Sequence, residues 1–173
     1  MDVLNIVQHG LEYAKNDYLQ IAALEKFDVK PKEDQIKSAL YRSFSEHNYL
    51  VHIEASYTRN GGRCDLVASK NGKKVAIEIK TAWAGSGWVN KPNEQAESWL
   101  KDVRKLMTLQ ADDSIKAGLF IVCFAYEHNS TGEVQLRQKI NEVIQVIKPE
   151  LEPFEIATWN GLNNIQFFVY QVF

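Results

Sequence analysis

Three charged residues stand inside otherwise apolar sequence: Asp65 in Arg63-Cys64-Asp65-Leu66-Val67, and Glu78 and Lys80 in Val75-Ala76-Ile77-Glu78-Ile79-Lys80-Thr81. Charges in such a setting are costly unless they are paired or employed. Two carboxylates supply the hard oxygen ligands that Mg²⁺ prefers, with water and substrate phosphate oxygens completing its octahedron. A lysine beside them can orient or deprotonate an attacking water and offset the charge that builds on a phosphate. The set therefore suits metal-assisted phosphodiester hydrolysis. The plainer use of the same residues is a buried Glu78–Lys80 salt bridge, with Asp65 capping a turn.

The elements that must position these groups are two short strands, 64–69 and 74–81, joined by Lys70-Asn71-Gly72-Lys73. An Asn-Gly pair between two apolar runs is a strong hairpin signal. Alternation along the second strand puts Val75, Ile77 and Ile79 on one face and Ala76, Glu78 and Lys80 on the other. In the first strand Arg63, Asp65 and Val67 are expected to share a face. Antiparallel pairing then brings Asp65 near Glu78 and Lys80.

Asp65, twelve intervening residues and Glu78-Ile79-Lys80 together resemble the PD-(D/E)xK motif of the restriction-endonuclease-like nucleases. Cys64 stands where that motif has proline, its least faithful position. The resemblance implies an α/β fold with an αβββαβ core, a mixed central sheet flanked by helices, and an extra N-terminal helix. It implies a catalytic site of Asp65, Glu78 and Lys80, with Mg²⁺ (or Mn²⁺ as a substitute) held by the two acids. In that family the helix before the first strand often carries a glutamate that completes the metal site, and Glu33 is the candidate here. Three residues before Ile36, Glu33 is in line with the buried stripe Ile36, Leu40 and Phe44, whereas Asp34 is turned about 100° away. An acid in a helix's first turn also has a simpler use against the macrodipole.

The remaining elements follow in order. Residues 2–27 read as a helix that packs on the core, forms a dimer contact or helps grip a substrate, packing being the preferred reading, and Pro31 opens a second helix over 32–47. A first strand spans 49–57, with Leu50, His52 and Glu54 on one face and Val51, Ile53 and Ala55 on the other. Glu54 is a further acid near the metal, a partner for Arg63, or an edge residue. The Gly-rich turn 58–62 sets Arg59 and Arg63 where a phosphate can approach. A loop after Lys80 holds Trp83, which seals the core edge, and Trp88, a candidate for stacking on bases. A helix over 94–110 buries Ala96, Trp99, Val103, Leu106 and Leu109, and presents Lys101, Arg104 and Lys105 to a phosphate backbone. Its Asp102-Val103-Arg104-Lys105-Leu106 resembles an Asp-x-x-Lys-Leu stretch common in the same family. The apolar run 118–126 reads as a buried central strand. A helix over 132–147 and strands over 154–159 and 165–172 close the chain.

At 173 residues and 45% hydrophobic, the chain is expected to form one domain: an extension over 1–30, the core over 31–126, and a C-terminal helix and strands over 127–173. No apolar run long enough for a membrane and no leader is evident, so a soluble, cytoplasmic protein is expected. Cys64 and Cys123 lie in apolar strands without metal-ligand spacing and read as reduced core residues. The net charge of −2 argues against a protein that coats nucleic acid. Between Arg59 and Lys105, however, ten Lys and Arg face five Asp and Glu, a local +5 suited to a phosphate-backbone substrate.

These readings converge on a Mg²⁺-dependent endonuclease acting on DNA. The alternative is a non-catalytic module on the same fold that binds nucleic acid or protein within a larger defence or repair complex. A weaker third option acts on RNA or nucleotides. With so small a core and no recognition domain, a homodimer or a partner subunit is expected.

Overall fold

The Asn71-Gly72 pair turns the chain as its chemistry requires. Both residues have positive φ, 52° and 75°, so Lys70 and Lys73 face each other across a two-residue turn. This double left-handed turn matches the twist of the strands it joins. Those strands are β2 (Arg63–Lys70) and β3 (Lys73–Trp83), and β1 (Leu50–Ser56) pairs antiparallel with β2.

The structure is a computed structural model. It describes residues 2–25, 32–56, 62–83, 92–127, 138–139, 141–143, 145, 151–159 and 163–172. Helix α1 (Val3–Glu25) and helix α2 (Glu33–Glu46) precede β1, and helix α3 (Pro92–Ala111) joins β3 to β4 (Ala117–Glu127). Strands β5 (Leu151–Trp159) and β6 (Asn163–Val172) follow. Residues 138–139, 141–143 and 145, within the expected fourth helix, are helical. The result is an α/β fold on a mixed six-stranded sheet of order β1-β2-β3-β4-β6-β5, in which only β3 and β4 run parallel.

Each face of the sheet has its own core. Helices α1 and α2 cover Leu66, Ala68, Val75, Ile77, Ile79, Leu119, Ile121 and Cys123. Helix α3 and Val143 cover Cys64, Val67, Ala76, Ala82, Phe120 and Val122 on the other side. The expected alternation in β3 is therefore present. Strand β4 is buried on both faces from Leu119 to Cys123, which is why its sequence is continuously apolar rather than alternating. Helix α1 packs on α2 at close range: Ser43 donates to the Ile6 carbonyl at 2.7 Å, and a side chain at Gly10 would collide with Leu40. The N-terminal helix is thus part of the core layer.

Strict alternation fails in the first two strands. Cys64 and Val67 lie in the same cluster although they are three residues apart, so Arg63, Asp65 and Val67 cannot share a face as expected. In β1, Val51 packs toward α1 and α2 while Ala55 packs toward α3, again against expectation. The cause is a matched irregularity. The β1–β2 ladder skips the Glu54–Asp65 pair, and Glu54 has φ +52°. A left-handed residue inside a strand turns the chain between faces, at a cost on the order of 1 kcal/mol for a non-glycine.

Candidate active site

The β2–β3 ladder stops at Leu66↔Ile77. Beyond it the Asp65 side chain replaces the missing backbone partner, its Oδ2 accepting the Ile79 N–H at 2.7 Å. The strands part at Asp65, and this fork lets charged groups from both helical layers reach the strand residues. Asp65 engages α2, while Glu78 and Lys80 engage α3.

On the α2 side, Lys37 is buried and its ammonium lies 3.2 Å from Asp65 Oδ1, with a second ion pair to Glu54 and a longer one, 3.7 Å, to exposed Asp34. Burial by itself pulls this ammonium down, but the bonds to Glu54 and Asp65 outweigh it and the group is raised. Lys37 is therefore a fixed cation. Glu54 is Lys37's partner rather than Arg63's, and that bond accompanies the strained backbone of β1.

On the α3 side, Glu78 is 3% exposed. Burial pushes its carboxyl up to about 7, the Lys105 ammonium opposing the rise and the Asp65 charge adding to it. Lys105 Nζ stands 2.5 Å from Glu78 Oε1, yet that oxygen receives no aligned hydrogen bond. The contact is a close ion pair. Lys105 also donates to the Arg63 carbonyl at 2.7 Å and to Asp102 Oδ1 at 3.2 Å. The other Asp102 oxygen holds Lys80 Nζ at 2.7 Å. Burial lowers the Lys80 ammonium, but the Asp102 bond prevails and Lys80 is raised. Lys80 is thus held as a cation, which suits it to donate to water or phosphate rather than to accept a proton.

Glu33 is half-buried at the start of α2. Burial raises its carboxyl, and it senses Lys80, Asp65 and Lys37. Glu33 is thus within electrostatic reach of Asp65 and Lys80, and Asp65 within reach of Glu78 and Lys80. Cys64 lies beside Glu78, and burial together with that charge pushes its thiol up to about 12, so it is no nucleophile near neutral pH. Both cysteines are free and buried, as expected.

The expected nucleic-acid contacts divide. Arg63, Lys101 and Arg104 are exposed. Lys105 is not the solvent-facing steering residue expected beside them: it turns inward to Glu78, Asp102 and Arg63. Arg59 and Trp88 lie outside the described residues. An open groove of about 490 Å³ runs along β1 and β2, lined by Leu50, His52, Ala55, Ser56, Val67, Ser69 and Lys74. Its Ala55–Ser56 end borders Cys64 and Arg63, and so adjoins the fork.

Lys37 and Asp102 were not anticipated. Lys37 had a readable signal, because Glu33, Lys37, Leu40 and Phe44 fall at helical spacing on one stripe. The pairing of Asp102 with Lys105 is local, at i,i+3 spacing, whereas its bond to Lys80 depends on how α3 crosses the sheet, which no local pattern encodes.

Asp65 and Glu78 offer hard carboxylate oxygens, and buried Glu78 Oε1 already has a cationic group, the Lys105 ammonium, against it, so the position suits a cation. Among the described residues no three His, Cys, Asp or Glu side chains form a ready metal cage. Mg²⁺ commonly takes only one or two carboxylates and keeps its waters, so the residues fit it. No described helix is long and apolar enough to cross a membrane. No family model matches the chain, and no curated protein matches it.

Proposed function

We propose that this protein is a Mg²⁺-dependent endonuclease hydrolysing DNA phosphodiester bonds, built on a restriction-endonuclease-like αβββαβ core with the PD-(D/E)xK residues. The observation that carries the reading is that the Asp65 side chain reaches across the fork to the backbone N–H of Ile79, between Glu78 and Lys80, with Glu33 sensing the charges of Lys80 and Asp65. The order α2, β1, β2, β3, α3, β4 supports the fold assignment.

Asp65 and Glu78 would hold Mg²⁺, with Glu33 in support, and the ion would supply Lewis-acid stabilisation and an activated water. The protein's own part is positioning. The Ile79 N–H fixes one Asp65 oxygen and Lys37 the other. Asp102 keeps Lys80 charged and aimed, so that Lys80 donates to the attacking water and offsets charge on the phosphate. Exposed Arg63, Lys101 and Arg104 draw in the backbone of the nucleic acid.

The test compares wild type with Lys80→Ala on supercoiled, linear and single-stranded DNA, with Mg²⁺, Mn²⁺ or EDTA. Cleavage is expected only with metal, and about 10²–10⁴-fold slower in a folded Lys80→Ala protein. Metal-independent cleavage, or cleavage that survives the substitution, rejects the reading.

A second reading has its own support. Asp65, Glu78 and Lys80 each have an opposite charge in contact, as in a structural ion-pair network. On that reading the protein is a non-catalytic module binding nucleic acid or protein within a defence or repair complex. Absence of both metal binding and cleavage favours it.

A further inference from the structure

We propose that Lys105 is a built-in counter-ion that takes the place of a divalent cation at Glu78 and gives way when one binds. The inference rests on the metal-dependent reading above. A carboxylate as buried as Glu78 is costly to leave bare, and it lies on the sheet face covered by α3. Lys105, on α3, supplies the missing charge by contact at 2.5 Å.

Two features mark this contact as replaceable rather than fixed. The Lys105 side chain keeps 22% of its surface exposed, giving its flexible stem a way outward, whereas Lys37 keeps 7%. Asp102 Oδ1 and the Arg63 carbonyl also hold the Lys105 ammonium, so it retains acceptors after leaving Glu78. Lys105 and a divalent ion would compete for one carboxylate, because two cations packed against it repel in this poorly solvated position.

The experiment titrates the full chain with Mn²⁺ by calorimetry and measures Tm in EDTA and in Mn²⁺. It compares wild type, Lys105→Met and Lys101→Met, the last removing an exposed lysine one turn away on the same helix. Lys105→Met is expected to bind Mn²⁺ about tenfold or more tighter than wild type, and Lys101→Met within about twofold of it. In EDTA, Lys105→Met should melt below wild type, and Mn²⁺ should raise its Tm by more. Lys105→Gln, which keeps a donor without the charge, must show the same ordering and serves if the methionine variant fails to fold.

Wild-type binding of Mn²⁺ with equal or weaker affinity in both Lys105 variants overturns the proposal and leaves the metal-dependent reading standing. Absence of Mn²⁺ binding in wild type and variants overturns both.

Discussion

Glu78 brings together opposing requirements, since the burial that raises its carboxyl to about 7 also makes its ionised form expensive. The folded protein keeps a proton there that the unfolded chain releases at the ordinary value of 4.5. The stability tied to that proton is fully present below about pH 4.5 and is lost as pH rises to about 7. Subtracting the unfolding free energy of Glu78→Gln from that of wild type should therefore give a difference that falls by about 3 kcal/mol across this window. Urea unfolding at several pH values measures it, and a flat or rising difference contradicts the assignment. On the nuclease reading, Asp102 would act through Lys80, whose ammonium it holds at 2.7 Å. Asp102→Asn keeps the shape but loses the charge, and should lower kcat about 10- to 100-fold while KM stays near the wild-type value. Steady-state cleavage kinetics test it; a change confined to KM would place Asp102 in substrate binding instead.

Two elements carry the geometry that sequence periodicity misses. The first is the fork between β2 and β3. A continuous ladder would pair Asp65 with Glu78 and would leave neither free to meet its own helix. The second is the close approach of α1 to α2, where a Cβ at Gly10 would sit 2.8 Å from Leu40 Cδ2 and 3.1 Å from the Leu40 Cα. Alanine at position 10 gains up to about 1 kcal/mol of helix propensity. Overpacking against buried Leu40 typically costs about 1–3 kcal/mol, so Gly10→Ala should destabilise on balance. A denaturation midpoint equal to or above wild type would show that the two helices separate more readily than this packing implies.

At the scale of the whole molecule, charge is sorted by depth. Lys37, Lys80 and Lys105 are consumed by acids at the fork, while Arg63, Lys101 and Arg104 remain on the surface. The local excess of basic residues between Arg59 and Lys105 is thus not all available to a polyanion. DNA binding measured without divalent metal should weaken with salt, and Lys101→Ala should reduce the salt slope by about 1. Lys105→Ala should leave that slope nearly unchanged, because its charge is spent internally. Equal effects from the two substitutions would mean that Lys105 leaves its pocket to meet the phosphates.

Much of the fold was legible because its signals are local. Asn71-Gly72 dictates a hairpin, the continuous apolar run of β4 dictates burial on both faces, and the stripe Ile36, Leu40 and Phe44 dictates how α2 faces the sheet. The same periodicity placed Glu78 and Lys80 together on one face of β3 and set Glu33 toward the core. The faces of β1 and β2 were misread where Glu54 turns left-handed and Asp65 takes the role of a backbone acceptor. A period-of-two pattern assumes an unbroken ladder, and nothing in the sequence announces the break. The contacts of Lys105 with Glu78, of Lys37 with Glu54 and Asp65, and of Asp102 with Lys80 were likewise decided only by tertiary structure. Ion pairing depends on which helix crosses which strand and at what depth, and those distances are set by packing between layers remote in sequence.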